Sequence, residues 1–288
     1  MISHIAHTSE STLKTNDGIA LFIRDWHLPE ATTKQGVVIM HGLGEHCGRY
    51  AHVARFFNAL GFTVRTYDHR GHGQSGGRSG DVPGELSILE DAQRVIQDFQ
   101  QQLSDPPILL GHSMGGLFAA RFALANLAPL RGLILSSPAL AIRMSGFQHG
   151  LLRIASLLFP GLGLPNGLNT RYLTHDAEVV EAYKNDRLVH PRISARLLSS
   201  MLSAMDFNRR HLQDLQIPTL LLAALDDHLV DPEGSRQFFA GSTNGLVSAH
   251  FYEACYHEIF NELDATRVFD DLRTWLEQQR FTPVITTA

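Results

Sequence analysis

A serine lies between two glycines in Gly111-His112-Ser113-Met114-Gly115, after an apolar run (Ile108 to Leu110) and before a helix-like run from Gly116. That order reads as strand, sharp turn, helix, with Ser113 at the apex. Gly111 and Gly115 have no Cβ, so strand and helix can approach closely around it, with His112 filling the turn. A serine hydroxyl is a poor nucleophile unless a base takes its proton, and the base needs a group that fixes its tautomer. In open α/β sheets such groups sit in loops at the carboxyl ends of strands. Two later loops qualify. Asp226-Asp227-His228 follows the apolar run 217–225, and Ala254-Cys255-Tyr256-His257 follows 246–253. His257 is singled out from the other histidines by its position after a strand. Asp226, Asp227 and Asp231 compete for the orienting role. Asp227 is chosen because it opens the loop D-x-L-V-D as the strand ends, with Asp226 the nearest rival.

This constellation suits acyl transfer, which also needs donors for a tetrahedral oxyanion. Losing one such donor typically costs about 10²–10³ in rate. One donor should be the backbone N–H of Met114. The second should come from HGLGEH, 41–46, with Leu43 as the expected donor and His41 and Gly42 shaping the loop. His41, His46 and His52 could suggest zinc, but no matching carboxylate or cysteine cluster accompanies them. The expectation is therefore no metal and no organic cofactor. Asp68, Arg70 and His72 in DHRGHGQS are expected to knit loops together.

The elements that must position these groups can be read around them. Residues 9–26 form two strands about Asn16-Asp17-Gly18, a hairpin signal. Strands are expected at 36–42, 61–68, 131–137, 217–225 and 246–253. Helices are expected near 49–60 and 85–103; Leu89, Ala92, Ile96 and Phe99 of the second share one face. A closing helix should carry Phe260, Leu263, Val268 and Trp275, and the tail FTPVITTA should be loose. Strands that are apolar along their whole length, alternating with amphipathic helices, mean a mostly parallel sheet covered on both faces. The alternation breaks between Pro138 and about Arg210, where helical, Gly- and Pro-punctuated sequence runs without a strand. The reading is a core of 1–137 and 211–288 with a helical cap inserted at 138–210.

Bulk properties narrow the class. With 288 residues, 44% hydrophobic and 18% charged, the chain can bury a large core. A net charge of −5 argues against nucleic acid as a partner. No signal-like start or spanning run is present, so a cytoplasmic location is the default. Two cysteines, Cys47 and Cys255, give no disulfide framework and are expected near the site mouth.

HGLGEHCGRY, YDHRGHGQSGG, GHSMGG, DDHLVDP and YHEIFNE together resemble the monoacylglycerol lipase and bacterial lysophospholipase family of α/β-hydrolases, which is grouped with serine aminopeptidases. The resemblance runs from about residue 9 to 279. It implies the α/β-hydrolase fold, Ser113, Asp227 and His257 as a triad, and Leu43 and Met114 as oxyanion donors. Arg187 departs from it, standing where the family commonly has proline. So does Ala223-Ala224-Leu225, where a glycine often precedes the acidic loop.

The expected substrate is a single-chain lipid ester such as a monoacylglycerol or a lysophospholipid. The alternatives are a serine aminopeptidase holding a free amine through Glu178 and Glu181, and a binding protein without turnover. The cap carries nine Lys and Arg against five Asp and Glu, and the apolar run LLRIASLLF at 151–159. That run is either the cap's own core or a surface for reversible contact with anionic lipid. Nothing in the chain specifies an oligomeric state.

Overall fold

The computed structural model describes residues 7–28 and 35–282. Strands β1 (His7–Lys14) and β2 (Ala20–His27) pair in antiparallel fashion about a turn in which Gly18 takes φ +85°, a backbone state that costs glycine nothing. In chain order then come β3 (Gln35–Met40), α1 (Ala51–Ala59), β4 (Phe62–Tyr67), α2 (Ser87–Gln100), β5 (Ile108–His112), α3 (Met114–Leu124) and β6 (Gly132–Ser136). Next are α4 (Gly146–Leu158), β7 (Gly163–Pro165), α5 (Ala177–Asn185), β8 (Arg192–Ser194) and α6 (Ala195–Arg210). The chain closes with β9 (Thr219–Ala224), α7 (Pro232–Gly241), β10 (Val247–Tyr252) and α8 (Ala265–Gln278).

Eight strands form one sheet in the order β1-β2-β4-β3-β5-β6-β9-β10. From β4 to β10 every pairing is parallel; β2 joins the sheet, and β1 joins β2, antiparallel. This is the α/β-hydrolase arrangement that the resemblance implies. Strands β4, β5, β6 and β9 are buried at every position, because helices cover both faces. Phe99 of α2, Phe118 and Phe122 of α3 and Phe238 of α7 fill one face. Val53 and Phe57 of α1 and Leu272 and Trp275 of α8 fill the other. The carboxyl ends of β3, β5, β9 and β10 therefore emerge at one rim.

Three sequence expectations need correction. The stretch after β6 is not strand-free: β7 and β8 form a two-stranded antiparallel sheet. Each is three residues long, too short for a period to register. Phe260 and Leu263 precede α8: Phe260 lies in a 3₁₀ turn, Ile259–Asn261, and Leu263 is exposed. Finally, Phe281 of the tail is buried against Trp275, so the chain is anchored as far as that residue. Residues 283–288 lie outside the described residues.

The stretch between β6 and β9 returns to the core through α6, which packs on α3. Asn208 Nδ2 donates to the Leu117 carbonyl (3.1 Å), and Arg196 pairs with Asp81 (2.5 Å).

Candidate active site

Ser113 joins β5 to α3 with φ 54° and ψ −119°, a strained state for a residue with a side chain. Such strain costs on the order of 1–3 kcal/mol and persists only where the surroundings enforce it. The enforcement here is steric. A Cβ on Gly115 would lie 2.3 Å from the Met40 carbonyl oxygen, and one on Gly111 would lie 2.4 Å from that of Gly115. Gly116 is also constrained, though less tightly, its Cβ falling 2.9 Å from the Gly111 carbonyl oxygen. The G-x-S-x-G-G glycines thus let β5, α3 and the end of β3 touch backbone to backbone. As the first residue of α3, Met114 presents an N–H with no intrahelical acceptor.

The loop after β3 is held by buried polar groups. Burial pushes the His41 imidazole well below its usual pKa, so the ring is neutral. Its Nδ1 lies 2.8 Å from the Gly42 carbonyl, which can only accept, so Nδ1 carries the proton. Nε2 then accepts from the His69 backbone N–H at 2.9 Å. The Gly42 N–H donates to Glu45 Oε1 (2.6 Å). Leu43, next in the loop, lines the same cavity as Ser113.

The three candidate aspartates part company. Asp227 Oδ2 lies 2.6 Å from His257 Nδ1, while its Oδ1 accepts from the Leu229 and Val230 N–H groups (2.8 and 3.0 Å). Asp226 instead faces His228 (3.0 Å), and Asp231 caps α7. With Nδ1–H given to Asp227, His257 keeps its lone pair on Nε2. Burial alone would lower the His257 pKa, but the Asp227 carboxylate and the hydrogen bond to it outweigh that, and the value sits above 6.5. Asp227 is moved the opposite way: burial would raise it, but the imidazolium and the two N–H donors hold it below the usual carboxylate value.

The His112 ring lies 4.8 Å from that of His257, with its Nδ1 near Ser136 Oγ (3.2 Å). Burial, then repulsion from His257, brings the His112 pKa down to about 4, so this neighbour stays neutral. Among the described residues the Ser113 hydroxyl makes no hydrogen bond to His257. Such contacts are commonly open in free enzymes and tighten when substrate is bound.

Ser113 opens into a cavity of about 510 Å³. Its walls are mostly apolar, including Ala139, Leu151, Leu152, Ala155, Leu198 and Met201. Arg143, Gln148, Asn166, Asn169, Tyr172 and His228 give it a polar side, and among the described residues no Asp or Glu lines it. Glu178 and Glu181 stand on α5, away from that lining.

Cys47 and Cys255 do not lie at the cavity mouth, which corrects the sequence expectation. Cys47 is buried beneath the loop after β3, and its thiol pKa is pushed well up by burial and by Asp68. Cys255 faces a separate cleft beside Tyr252, Glu262 and Arg267, with burial pushing its pKa up to about 11. Adjacency in sequence put them near His41 and His257, but the backbone turns their side chains elsewhere. Asp68 accepts from the Cys47 and Gln74 N–H groups, and Arg70 pairs with Asp91 and Asp17, so these residues knit loops together.

Glu45, Arg49 and Glu258 were not singled out from sequence, yet they form a buried cluster joining the loops after β3 and β10. The only local signal was the i, i+4 spacing of Glu45 and Arg49. Glu258 lies 209 positions from Arg49, and no sequence pattern pairs them.

A family model described as serine aminopeptidase, S33, matches residues 31–264. A monoacylglycerol lipase of Mycolicibacterium smegmatis is 31% identical over 280 residues, which span 93% of this chain and 96% of that protein. An uncharacterized abhydrolase domain-containing protein of Dictyostelium discoideum is also 31% identical over 94% of this chain, but the chain spans only 29% of that protein's length. The crystal structure of Paleococcus ferrophilus monoacylglycerol lipase superimposes with TM-score 0.78 at 31% identity, covering 95% of this chain and 99% of that one. With the strained serine turn, the matched family and relatives over nearly the full chain, the protein belongs to the S33-type family of α/β-hydrolases related to monoacylglycerol lipase and is a serine hydrolase.

Proposed function

We propose that the protein hydrolyses carboxylic esters of single-chain lipids, monoacylglycerols or lysophospholipids, through an acyl-enzyme. The observation that carries this reading is the apolar cavity of about 510 Å³ ending at Ser113. Its size is within the roughly 300–1,000 Å³ usual for small-molecule sites.

Ser113 attacks the ester carbonyl while His257 Nε2 takes its proton. Asp227 keeps the imidazole in the productive tautomer and stabilises the imidazolium. The N–H groups of Met114 and Leu43 hold the oxyanion, and His257 returns the proton to the leaving alcohol. Water then repeats the sequence on the acyl-enzyme and frees the fatty acid. Residues 138–210 act as a cap over this chemistry, with the acyl chain lying along α4 and α6.

The outer side of the cap supports contact with a lipid surface. Ile154, Leu157, Leu158 and Phe159 are exposed and outside the cavity lining, so the run 151–159 is not simply the cap's own core. We read this face as resting reversibly on membrane lipid. Among the described residues no helix is long and apolar enough to cross a bilayer.

An aminopeptidase needs an acidic group where the substrate amine sits, and among the described residues the cavity lining has none. The test is a panel of p-nitrophenyl esters of increasing chain length beside a monoacylglycerol, a lysophospholipid and an aminoacyl amide. The reading predicts highest kcat/KM for a medium or long acyl ester. A preference for the amide would overturn it, and no turnover of any member would favour a binding protein.

A further inference from the structure

Two motifs of the sequence, HGLGEHCGRY and YHEIFNE, contain charged residues that the reaction as described does not use. They meet in the interior. Arg49 Nη1 donates to Glu45 Oε2 (2.5 Å) and Glu258 Oε1 (2.6 Å), and its Nη2 donates to Glu258 Oε2 (2.7 Å). Glu45 Oε1 accepts from the Gly42 N–H (2.6 Å) and from the Tyr50 hydroxyl (2.5 Å). Glu258 Oε2 also accepts from Asn261 (2.8 Å), and the Tyr183 ring of α5 covers the guanidinium at 4.7 Å. The three charged side chains are each about 11% exposed or less.

Stability alone explains such a cluster poorly. Burying three charges costs several kcal/mol per ion before they attract one another, and apolar residues of similar volume would often serve as well. What the cluster does join is informative. Glu45 holds the Gly42 N–H, and so fixes the turn that carries Leu43. Glu258 follows His257 directly in the chain. One planar guanidinium spans the two, a geometry lysine cannot reproduce. Two carboxylates on one cation also leave a net negative charge beside His257.

We propose that Arg49, Glu45 and Glu258 are positioning residues for the hydrolytic site: they tie the oxyanion turn to the histidine loop and supply negative charge that favours the imidazolium formed during reaction. This rests on the serine-hydrolase reading of Ser113 and His257. The groups that act on His257 are Asp227 from the loop after β9, Glu258 in its own loop and Glu45 from the loop after β3, with Arg49 held between those two glutamates; the neutral ring of His112, at the end of β5, lies 4.8 Å away. Of these His112 is neutral, and Asp227 is needed for the tautomer. Glu258 and Glu45 are the charges that can be changed without touching the reacting groups. Both act to raise the His257 pKa.

The sign follows from this. Activity requires neutral His257, so the acidic limb of kcat/KM against pH tracks its pKa. In the full-length Glu258→Gln enzyme, with p-nitrophenyl butyrate as probe, the limb should move to lower pH by roughly half a unit. Arg49→Gln, which removes a cation, should move it to higher pH. Arg49→Lys keeps the charge but breaks the bidentate tie. It should leave the limb in place and lower kcat about tenfold, with KM little changed. A merely structural cluster would reduce the amount of folded enzyme and leave every limb where it was. Titration of Ser113 with a fluorophosphonate keeps the two ideas apart. Wild-type enzyme unlabelled at Ser113 overturns the serine-hydrolase reading. Normal labelling with the Glu258→Gln limb within about 0.1 unit of wild type overturns the positioning role alone. Should Arg49→Gln fail to fold, Glu258→Gln decides.

Discussion

The hydrogen bond between His257 and Asp227 is where residue chemistry and pH meet. The folded pKa of His257 is raised above 6.5, so its contribution to stability is complete below that value and is lost as pH rises through the raised one. Asp227 is depressed below 3.8, so its contribution is present above that value and disappears as pH falls through the depressed one. Between those limits the pair stabilises the fold. Asp227→Asn should lower kcat by about 10³–10⁴, because the amide can fix the wrong tautomer. It should also bring the acidic limb of activity down, since the charge that raises His257 is gone. A pH profile of the purified variant checks both, and an Asp227→Asn enzyme with wild-type kcat would rule out the orienting role. At this scale the candidate site was largely legible. Ser113 stands in a turn with its own glycine signature, and Asp227 and His257 lie in the loops that follow β9 and β10. Glu258 and Arg49 were not legible because ion pairs between distant loops leave no period and no spacing in the chain.

Among the elements, the central strands β5, β6 and β9 are legible because burial at every position makes each a largely apolar run, whereas the exposed β1 and its partner β2 are legible from the turn between them. The segment after β6 was harder. Strands β7 and β8 are too short to show alternation, and the start of α8 was placed early because Phe260 and Leu263 mimic a helical face. The apolar run at 151–159 could be read two ways, and α4 divides it between two sides. Leu152 and Ala155 of α4 line the cavity, whereas Ile154 and Leu157 point outward and are 57% and 82% exposed. An isolated exposed leucine needs no explanation, but a contiguous apolar face does. Replacing Ile154 and Leu157 by glutamate should weaken co-sedimentation with anionic phospholipid vesicles at least about tenfold, leaving hydrolysis of a soluble short-chain ester within about twofold. Unchanged vesicle binding would remove α4 as the contact face.

For the molecule as a whole, one twisted sheet organises everything else. Residues separated by more than a hundred positions arrive at the same rim because the strands that carry them, β3, β5, β9 and β10, run parallel within the sheet. Core packing on both faces holds those strand ends rigid, and it holds Ser113 in a conformation it would not adopt alone. The central claim is that this rim performs acyl transfer through Ser113. The most direct measurement is intact mass of enzyme quenched in acid during turnover of a p-nitrophenyl ester, followed by peptide mapping, for wild type and Ser113→Ala. The account predicts an acyl adduct on the Ser113 peptide of wild type, no adduct on the variant, and a rate lowered by about 10⁴ or more. Wild-type turnover by Ser113→Ala, or an adduct on another residue, would contradict it.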